Sequence, residues 1–260
     1  MRKTIKMPAP QLSWLKEVNI DLDMTGRHYA LLASCEGQLP EDVALSILKD
    51  LMEEDANKLT LTELQYLFML VKINSLENNY VVDVECPHCN KTNSVKILLS
   101  DADLNPTPSD YEVPKILFRD KDTEKEYSVM PPTMDKISHL YDYFVTEKNA
   151  DQDKITNDKA LLFDFSVLYG LLHLVDSNGN PFVKDTDNFN DLLDTSLLED
   201  NKTPKPTVLN MNKHSTIRKL LELVAEVGSY GVQKKTYDTK CKECGGRFIF
   251  PLPLLYGVSD

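Results

Sequence analysis

This 260-residue chain has no long apolar run. Charged or polar side chains interrupt both of its most apolar segments, Leu59 to Leu76 and Ala160 to Val175. A helix that crosses a bilayer needs about 20 consecutive apolar residues, so we predict no membrane span. The apolar part of Met1 to Lys6 is also too short for the core of a signal peptide. We therefore expect a soluble protein that is made and assembled in a reducing cytoplasm.

Basic side chains are in the minority. The chain has 29 Lys and Arg against 41 Asp and Glu, which gives a formal net charge of −12. Binding to a nucleic-acid backbone depends on clustered Lys and Arg. The charge balance therefore argues against a nucleic acid as the main partner.

The sequence motifs of common enzymes are also missing. With 9 glycines, the chain has no Gly-rich phosphate loop, no Gly-x-Ser-x-Gly and no His-Glu-x-x-His. Asp176 to Asn180 lacks the glycine and glutamate positions of a calcium loop and predicts a turn. The acidic stretch Asp185 to Lys205 is interpreted as a solvated loop, and His139 and His173 as structural residues in apolar helices. We predict no catalytic residues, and a protein that is not an enzyme.

Cysteine is scarce, but its distribution is informative. Four of the five cysteines form two Cys-x-x-Cys pairs, Cys86 with Cys89 and Cys241 with Cys244. Two such pairs supply the four thiolates of one tetrahedral zinc site. Cys35, in an apolar context, is interpreted as a small buried side chain.

Each pair lies between two segments that predict strands. Tyr80 to Glu85 and Ser94 to Leu98 alternate in polarity around the first pair. Val232 to Lys240 and Arg247 to Phe250 flank the second pair, where Gly245-Gly246 permits positive φ directly after the second thiol. Two hairpins with a thiol pair at each tip are typical of a zinc ribbon.

We therefore predict one structural Zn²⁺ held by Cys86, Cys89, Cys241 and Cys244, with His88 facing solvent rather than binding the metal. Three alternatives stay open at this point. Disulfides are disfavoured in a reducing compartment, and redox chemistry of the thioredoxin kind needs a pair at a helix N-terminus. A catalytic zinc would need an open coordination position, which four thiolates do not leave.

The pattern along the chain predicts an α+β fold, a helix-rich domain with short antiparallel hairpins and a split four-cysteine zinc ribbon. Helices are predicted over Thr25 to Ala33, Glu41 to Glu54, Thr62 to Leu76, Thr133 to Phe144, Lys159 to Val175 and Thr216 to Val227. A further hairpin is predicted from Lys115 to Met130. We divide the chain into an N-terminal arm with Pro8, Pro10 and Trp14 (1–20), a helical segment with the first zinc hairpin (21–114), a hairpin and helical segment (115–231), and the second zinc hairpin with the C-terminal strand (232–260).

The order of these features resembles the small baseplate hub proteins of T-even-like contractile-tailed phages. In that family a Thr-x-Arg helix start and a hydrophobic helix precede a strand and a Cys-Pro-x-Cys turn, and a valine-rich strand follows. The corresponding segments here are Met24 to Leu32, Leu61 to Leu76, Tyr80 to Lys91 and Val95 to Asp103, with a looser match at Thr133 to Leu140. The chain departs from the family in the long acidic segment before its last helix.

This resemblance implies a structural or assembly component of the phage tail baseplate hub. It would bind other phage tail and baseplate proteins within a multi-protein assembly, in the host cytoplasm during assembly and in the tail baseplate of the virion if it is retained there. A rival hypothesis is a zinc-ribbon nucleic-acid-binding module of a transcription or translation factor. Its candidate surface combines basic and aromatic residues, namely Lys234, Lys235, Lys240, Lys242, Arg247, Tyr237 and Phe248. A zinc hydrolase is a third hypothesis, and it would require one dispensable thiol.

Overall fold

A computed structural model describes residues 2–34, 40–75, 79–98, 104–120, 123–184, 188–193, 214–232 and 236–251. The chain divides into two compact units. Unit 1 consists of Met1–Thr107 with Tyr230–Asp260, and unit 2 consists of Pro108–Ser229. The four-segment division derived from the sequence stays a prediction.

The helices and strands of the described residues are short. The helices are α1 Gly26–Ala33, α2 Pro40–Leu51, α3 Leu61–Ser75, α4 Met134–Thr146, α5 Gln152–Asn157, α6 Lys159–Leu172, α7 Phe189–Leu193 and α8 His214–Val227. The strands are β1 Arg2–Lys6, β2 Glu17–Asp21, β3 Asn79–Glu85, β4 Thr92–Leu98, β5 Leu104–Asn105, β6 Lys115–Asp120, β7 Thr123–Val129, β8 Leu174–Val175, β9 Gly231–Val232, β10 Thr236–Lys240 and β11 Arg247–Pro251.

Every strand pairing among the described residues is antiparallel. In unit 1, β1 pairs with β2, β3 with β4, β5 with β9, and β10 with β11. In unit 2, β7 lies between β6 and β8. The fold is therefore α+β with short antiparallel strand pairs, as the sequence predicted. No helix in the described part of the chain has the length and apolar character needed to span a bilayer.

Helix α3 is the centre of unit 1. It begins with a capping box, in which the Thr60 amide donates to Glu63 Oε2 at 2.8 Å and the Glu63 amide donates to Thr60 Oγ1 at 3.4 Å. The helix therefore begins one residue before the predicted Thr62. Leu64, Leu67 and Phe68 are fully buried, which confirms the prediction of a central helix.

The N-terminal residues differ from the expected arm. They form a hairpin of β1 and β2, in which Val18 and Ile20 alternate inward and are fully buried. The same segment also contacts helix α3, because the Ser13 side chain forms a hydrogen bond with the Glu63 carboxyl. Burial raises the pKa of Glu63, and this hydrogen bond opposes the rise. Val18 therefore belongs to the core where the sequence predicted an arm, because strand alternation in β2 outweighs the prolines that precede it. Trp14 remains 38% exposed.

The core of unit 2 is rich in aromatic side chains. Ring contacts link α4, α6 and α7 through Tyr141, Tyr143, Phe144, Phe165, Tyr169, His173 and Phe189. The His173 ring is buried, with Nδ1 2.9 Å from the carbonyl oxygen of Tyr169. Burial lowers the pKa of His173 to about 4. His173 is thus a neutral structural residue at neutral pH, as predicted.

Three sequence predictions for unit 2 can be compared with the structure: the end of α6, the loop at 185–205 and the turn at Asp176. Helix α6 ends at Leu172, because Leu174 and Val175 pair with β7 rather than continue the helix. The expected loop at 185–205 contains α7, in which Phe189 is buried, while 185–187 and 194–205 lie outside the described residues. The predicted turn at Asp176 is confirmed, since its carboxylate accepts hydrogen bonds from the amides of Asn178 and Asn180.

Candidate metal centre

The first Cys-x-x-Cys pair lies in a turn at the tip of the β3–β4 hairpin. The ladder closes at the Glu85–Thr92 pair, and the Cys86 amide then donates to the Lys91 carbonyl at 3.0 Å. The amide of Asn90 donates to the Cys86 carbonyl at 2.8 Å, with Asn90 at a φ of 56°. This turn, residues 86–91, is called knuckle 1 below.

The second pair lies in a turn of the same geometry between β10 and β11. The Cys241 amide donates to the Gly246 carbonyl at 2.9 Å, and the Gly245 amide donates to the Cys241 carbonyl at 3.0 Å. Gly245 has a φ of 72°, as the sequence predicted for a glycine after the second thiol. This turn, residues 241–246, is knuckle 2. The two knuckles have the same pattern of backbone hydrogen bonds. Each also has a residue with positive φ directly after its second cysteine, Asn90 in knuckle 1 and Gly245 in knuckle 2.

The two knuckles bring all four sulfurs together. Cys86 Sγ lies 3.8 Å from Cys244 Sγ, and Cys89 Sγ lies 3.6 Å from Cys241 Sγ. All four sulfurs lie within 4.8 Å of one another. Sulfurs arranged tetrahedrally about an ion at about 2.3 Å are about 3.8 Å apart, so the cluster has dimensions that suit a metal ion. In the described part of the chain, this is the one group of His, Cys, Asp or Glu side chains close enough to hold one.

The cluster continues into the apolar core of unit 1. Cys86 and Cys241 are buried, Cys89 is half-buried and Cys244 is exposed. The buried sulfurs pack with side chains of both hairpins and of α3, namely Met69, Val82, Ile97, Phe248 and Phe250. The sulfur cluster therefore lies where the N-terminal and C-terminal parts of unit 1 meet.

The pKa values of the Cys241 and Cys89 thiols are shifted in opposite directions. The backbone N–H groups of Cys244 and Glu243, despite burial, lower the pKa of the Cys241 thiol to about 6. The Lys91 N–H group favours ionisation of Cys89, but burial and the three neighbouring sulfurs outweigh it and raise the pKa of Cys89 to about 12. Four thiolates this close repel one another, so full ionisation of the cluster requires a bound cation.

Two side chains near the cluster were not predicted to have a role. Asn93 is buried on β4, where its amide group donates to Cys241 Sγ at 3.5 Å. His88 was expected only to face solvent, yet its Nε2 lies 3.0 Å from the Arg247 carbonyl oxygen. One signal could have identified Asn93, because it occupies an inward-facing position directly opposite Val84 in the β3–β4 register.

Comparison with known proteins supplies the family. The model of one protein family, described as T4 bacteriophage base plate protein, matches residues 11–214, which is more than half of the chain. The chain belongs to this base plate family. No curated protein and no solved structure matches it. Membership implies association with the virion tail and assembly with other phage proteins, in agreement with the phage baseplate resemblance.

The match to the base plate family covers only one of the two knuckles. It includes Cys86 and Cys89 and ends before Cys241 and Cys244. Sulfur pairs from both sides of that limit lie within bonding range of one ion. The candidate metal centre of this base plate protein is therefore defined by the geometry of its four sulfurs and not by the family match. Cys35 lies outside the described residues.

The surface proposed for the rival nucleic-acid module is not arranged for base stacking. Phe248 is only 7% exposed and belongs to the core of unit 1. The Tyr237 hydroxyl donates to the Leu98 carbonyl at 3.2 Å, and the Arg247 guanidinium forms an ion pair with Asp238. Lys234 and Lys235 lie outside the described residues. Stacking on bases requires exposed rings, so the geometry gives this hypothesis no support.

Proposed function

We propose that this base plate protein is a structural subunit of the baseplate hub that acts by stoichiometric contacts and is held together by one structural zinc ion. The observation that supports the tail role is the family match over residues 11–214. The four-sulfur cluster supports the metal. The protein would assemble with its partners in the host cytoplasm and act without catalysis.

The sulfur cluster favours zinc in a structural rather than a catalytic site. Four cysteine thiolates at tetrahedral spacing form a closed coordination sphere, which leaves no position for a water or a substrate. Such a site contributes free energy to folding, because the ligands come together only in the folded chain. Here Cys86 and Cys89 would be joined to Cys241 and Cys244 across more than 150 positions of sequence.

Metal analysis tests this assignment. We expect about one zinc per chain in protein purified under reducing conditions without chelators, because all four sulfurs belong to one tetrahedron. Replacing Cys86 and Cys89 together by Ser should abolish the bound zinc. Cys35→Ser is the matched control and should retain it. Reduced protein that contains no zinc and takes up none would contradict the proposal.

The hub position is supported by the segments that resemble the hub proteins, namely Met24 to Leu32, Leu61 to Leu76 and Tyr80 to Lys91. Electron microscopy of phage tails that carry a labelled copy of this chain tests it. We expect the label on the tail axis within the baseplate. A label at the baseplate periphery would reject the hub and retain the base plate role. Its absence from finished particles, with defective baseplates when the gene is disrupted, would make the protein an assembly factor.

A further inference from the structure

Asn93 links the two knuckles through hydrogen bonds that do not involve a metal. Its side chain is 3% exposed and donates from Nδ2 to the Lys91 carbonyl of knuckle 1 at 2.9 Å. Its Oδ1 accepts a hydrogen bond from the Lys242 amide of knuckle 2 at 2.9 Å. The remaining contact of Nδ2 is with Cys241 Sγ at 3.5 Å. The oxygen and the nitrogen of this buried amide therefore both have partners, and these partners belong to both hairpins.

His88 makes a second link between the knuckles. Its Nε2–H group donates to the Arg247 carbonyl at 3.0 Å. The ring lies directly against Gly246, where an added Cβ would be only 2.6 Å from Cδ2 of the imidazole. Close approach of the ring to this backbone therefore depends on a residue without a side chain.

The two links bracket knuckle 2. Asn93 reaches the backbone at Lys242, just after the first thiol, and His88 reaches it at Arg247, just after the last residue of the turn. The partners in both cases are backbone atoms rather than sulfurs, so neither hydrogen bond needs an ion to form. Asn93 is buried and His88 is exposed, so the burial argument applies to Asn93: any other arrangement would leave its amide group unpaired in the core.

We infer that Asn93 and His88 form a clamp that docks knuckle 2 onto knuckle 1 without metal, and that Asn93 positions the Cys241 sulfur for metal binding. The ion would then meet four sulfurs that are already assembled. Preorganisation of this kind raises affinity by reducing the ordering cost of binding, and partners of metal ligands commonly change affinity by about 10- to 100-fold. The affinity part rests on the proposed zinc site, whereas the docking part does not.

Amide hydrogen exchange of the reduced, zinc-free full chain tests the docking part. We expect the Lys242 amide to be protected in the wild type and to lose that protection in Asn93→Ala, since the acceptor is removed. Ser94→Ala is the matched control, because Ser94 lies next on the same strand but bonds to Asp83 instead. A Lys242 amide that exchanges at the rate of an unfolded chain in the zinc-free wild type would overturn the clamp. Should Asn93→Ala fail to fold, Asn93→Asp, which keeps an acceptor for the Lys242 amide, should retain the protection, and the exchange rate of that amide in the zinc-free wild type still decides the clamp.

Chelator competition tests the positioning part. Asn93→Asp keeps an acceptor for Lys242 but replaces the N–H donor beside Cys241 with a negative charge. We expect zinc to bind about 10- to 100-fold more weakly. Gly246→Ala, which displaces the His88 ring, should weaken it as well. The absorption of Co²⁺-substituted Asn93→Asp should keep the bands of four-thiolate ligation, which separates positioning from loss of a ligand.

The outcomes distinguish the two proposals. Wild-type affinity in Asn93→Asp and Gly246→Ala, with four-thiolate spectra, would reject the positioning role and retain the metal centre. A wild-type chain that binds no zinc would reject the metal centre, while the zinc-free amide exchange would still decide the clamp.

Discussion

The two units of this protein bury their cores by different means. In unit 1, the hairpins β3–β4 and β10–β11 contribute a few apolar side chains each to the cluster around Met69, where Cys86 and Cys241 are buried and Cys89 packs against them. In unit 2, the helices α4, α6 and α7 bury aromatic rings against one another, with Phe144 fully enclosed. Among the described residues, the core of unit 2 is therefore dominated by aromatic rings, whereas part of the unit 1 core is made of cysteine side chains.

The difference follows from chain connectivity and element size. A two-stranded hairpin is at most marginally stable in water, and unit 1 contains two of them from distant parts of the sequence. Joining them carries the entropy of closing a long loop, which a metal site offsets well. Unit 2 is one continuous segment, Pro108–Ser229, so its rings come together over shorter separations. A metal bound by the four cysteines would therefore offset a larger loop-closure cost in unit 1 than any that the contacts of unit 2 carry.

The largest expected effect comes from removing half of the thiols. Replacing Cys86 and Cys89 together by Ser should destabilise unit 1 by at least about 3 kcal/mol, because the metal-binding free energy is coupled to folding. Native-state amide exchange should show the loss in β3, β4, β10 and β11, and unchanged protection in α4 and α6. Cys35→Ser is the control. Equal loss in both units would show that the two cores fold as one.

A matched pair of core truncations compares the units directly. Phe68 on α3 and Phe144 on α4 are both fully buried, and each change to Ala should cost about 3 to 5 kcal/mol of unfolding free energy. Urea unfolding followed by amide exchange should assign the first loss to unit 1 and the second to unit 2. Phe163→Ala, at a side chain that is 56% exposed, should change stability by less than about 0.5 kcal/mol. A small effect at Phe68 would mean that α3 is not central.

Acid should distinguish the units through His173. Its pKa falls from an ordinary value of 6.5 to about 4, because burial disfavours the charged ring. As the pH falls, the unfolded chain takes up the proton before the folded chain does. The contribution of His173 to the unfolding free energy of unit 2 is therefore intact above pH 6.5 and is lost as the pH falls through 4, by up to about 3 kcal/mol. Near-ultraviolet circular dichroism of the ring cluster during unfolding at each pH measures it.

His173→Asn supplies the control for that experiment. The amide keeps an N–H donor for the Tyr169 carbonyl but does not titrate, so the pH dependence of unit 2 should flatten. If the proposed zinc is bound, acid should also protonate its thiolate ligands and release it. Unit 1 should therefore remain acid-sensitive in the variant, and an unchanged slope in unit 2 would contradict the assignment to His173.

The sequence predicted the sulfur cluster and the α+β class because both leave local signals. Cysteine spacing, alternation in β3 and β4, and the capping residues Thr25 and Thr133 each act within a few positions. The capping box at Thr25 and the start of α4 after Thr133 are both present in the structure. Such signals indicate where an element begins and what a turn can bind.

The features that were missed depend on contacts between distant residues. The burial of Val18 and Ile20 depends on what covers β2, and prolines nearby suggested an arm instead. The pairing of β8 with β7 ends α6 early, although its residues are apolar enough to continue a helix. The hydrogen bond that the Lys242 amide donates to Asn93 joins residues 149 positions apart, so no local sequence pattern predicts it.

The smallest expected effect concerns the left-handed residue of knuckle 2. Gly245 has a φ of 72°, so Gly245→Ala should cost unit 1 about 1 to 2 kcal/mol, because a Cβ is disfavoured in this conformation. Gly245→Asn is the matched variant, since Asn90 occupies the same position of knuckle 1 at a φ of 56° and asparagine tolerates this region well. It should recover most of that loss. Zinc affinity by chelator competition and amide exchange in β10 and β11 measure both variants, with α4 and α6 unchanged. Equal destabilisation of the two variants would contradict this explanation. The constraint at this position would then be the space beside Lys240, whose Cε would lie 3.6 Å from an added Cβ, and not the backbone conformation that the two knuckles have in common.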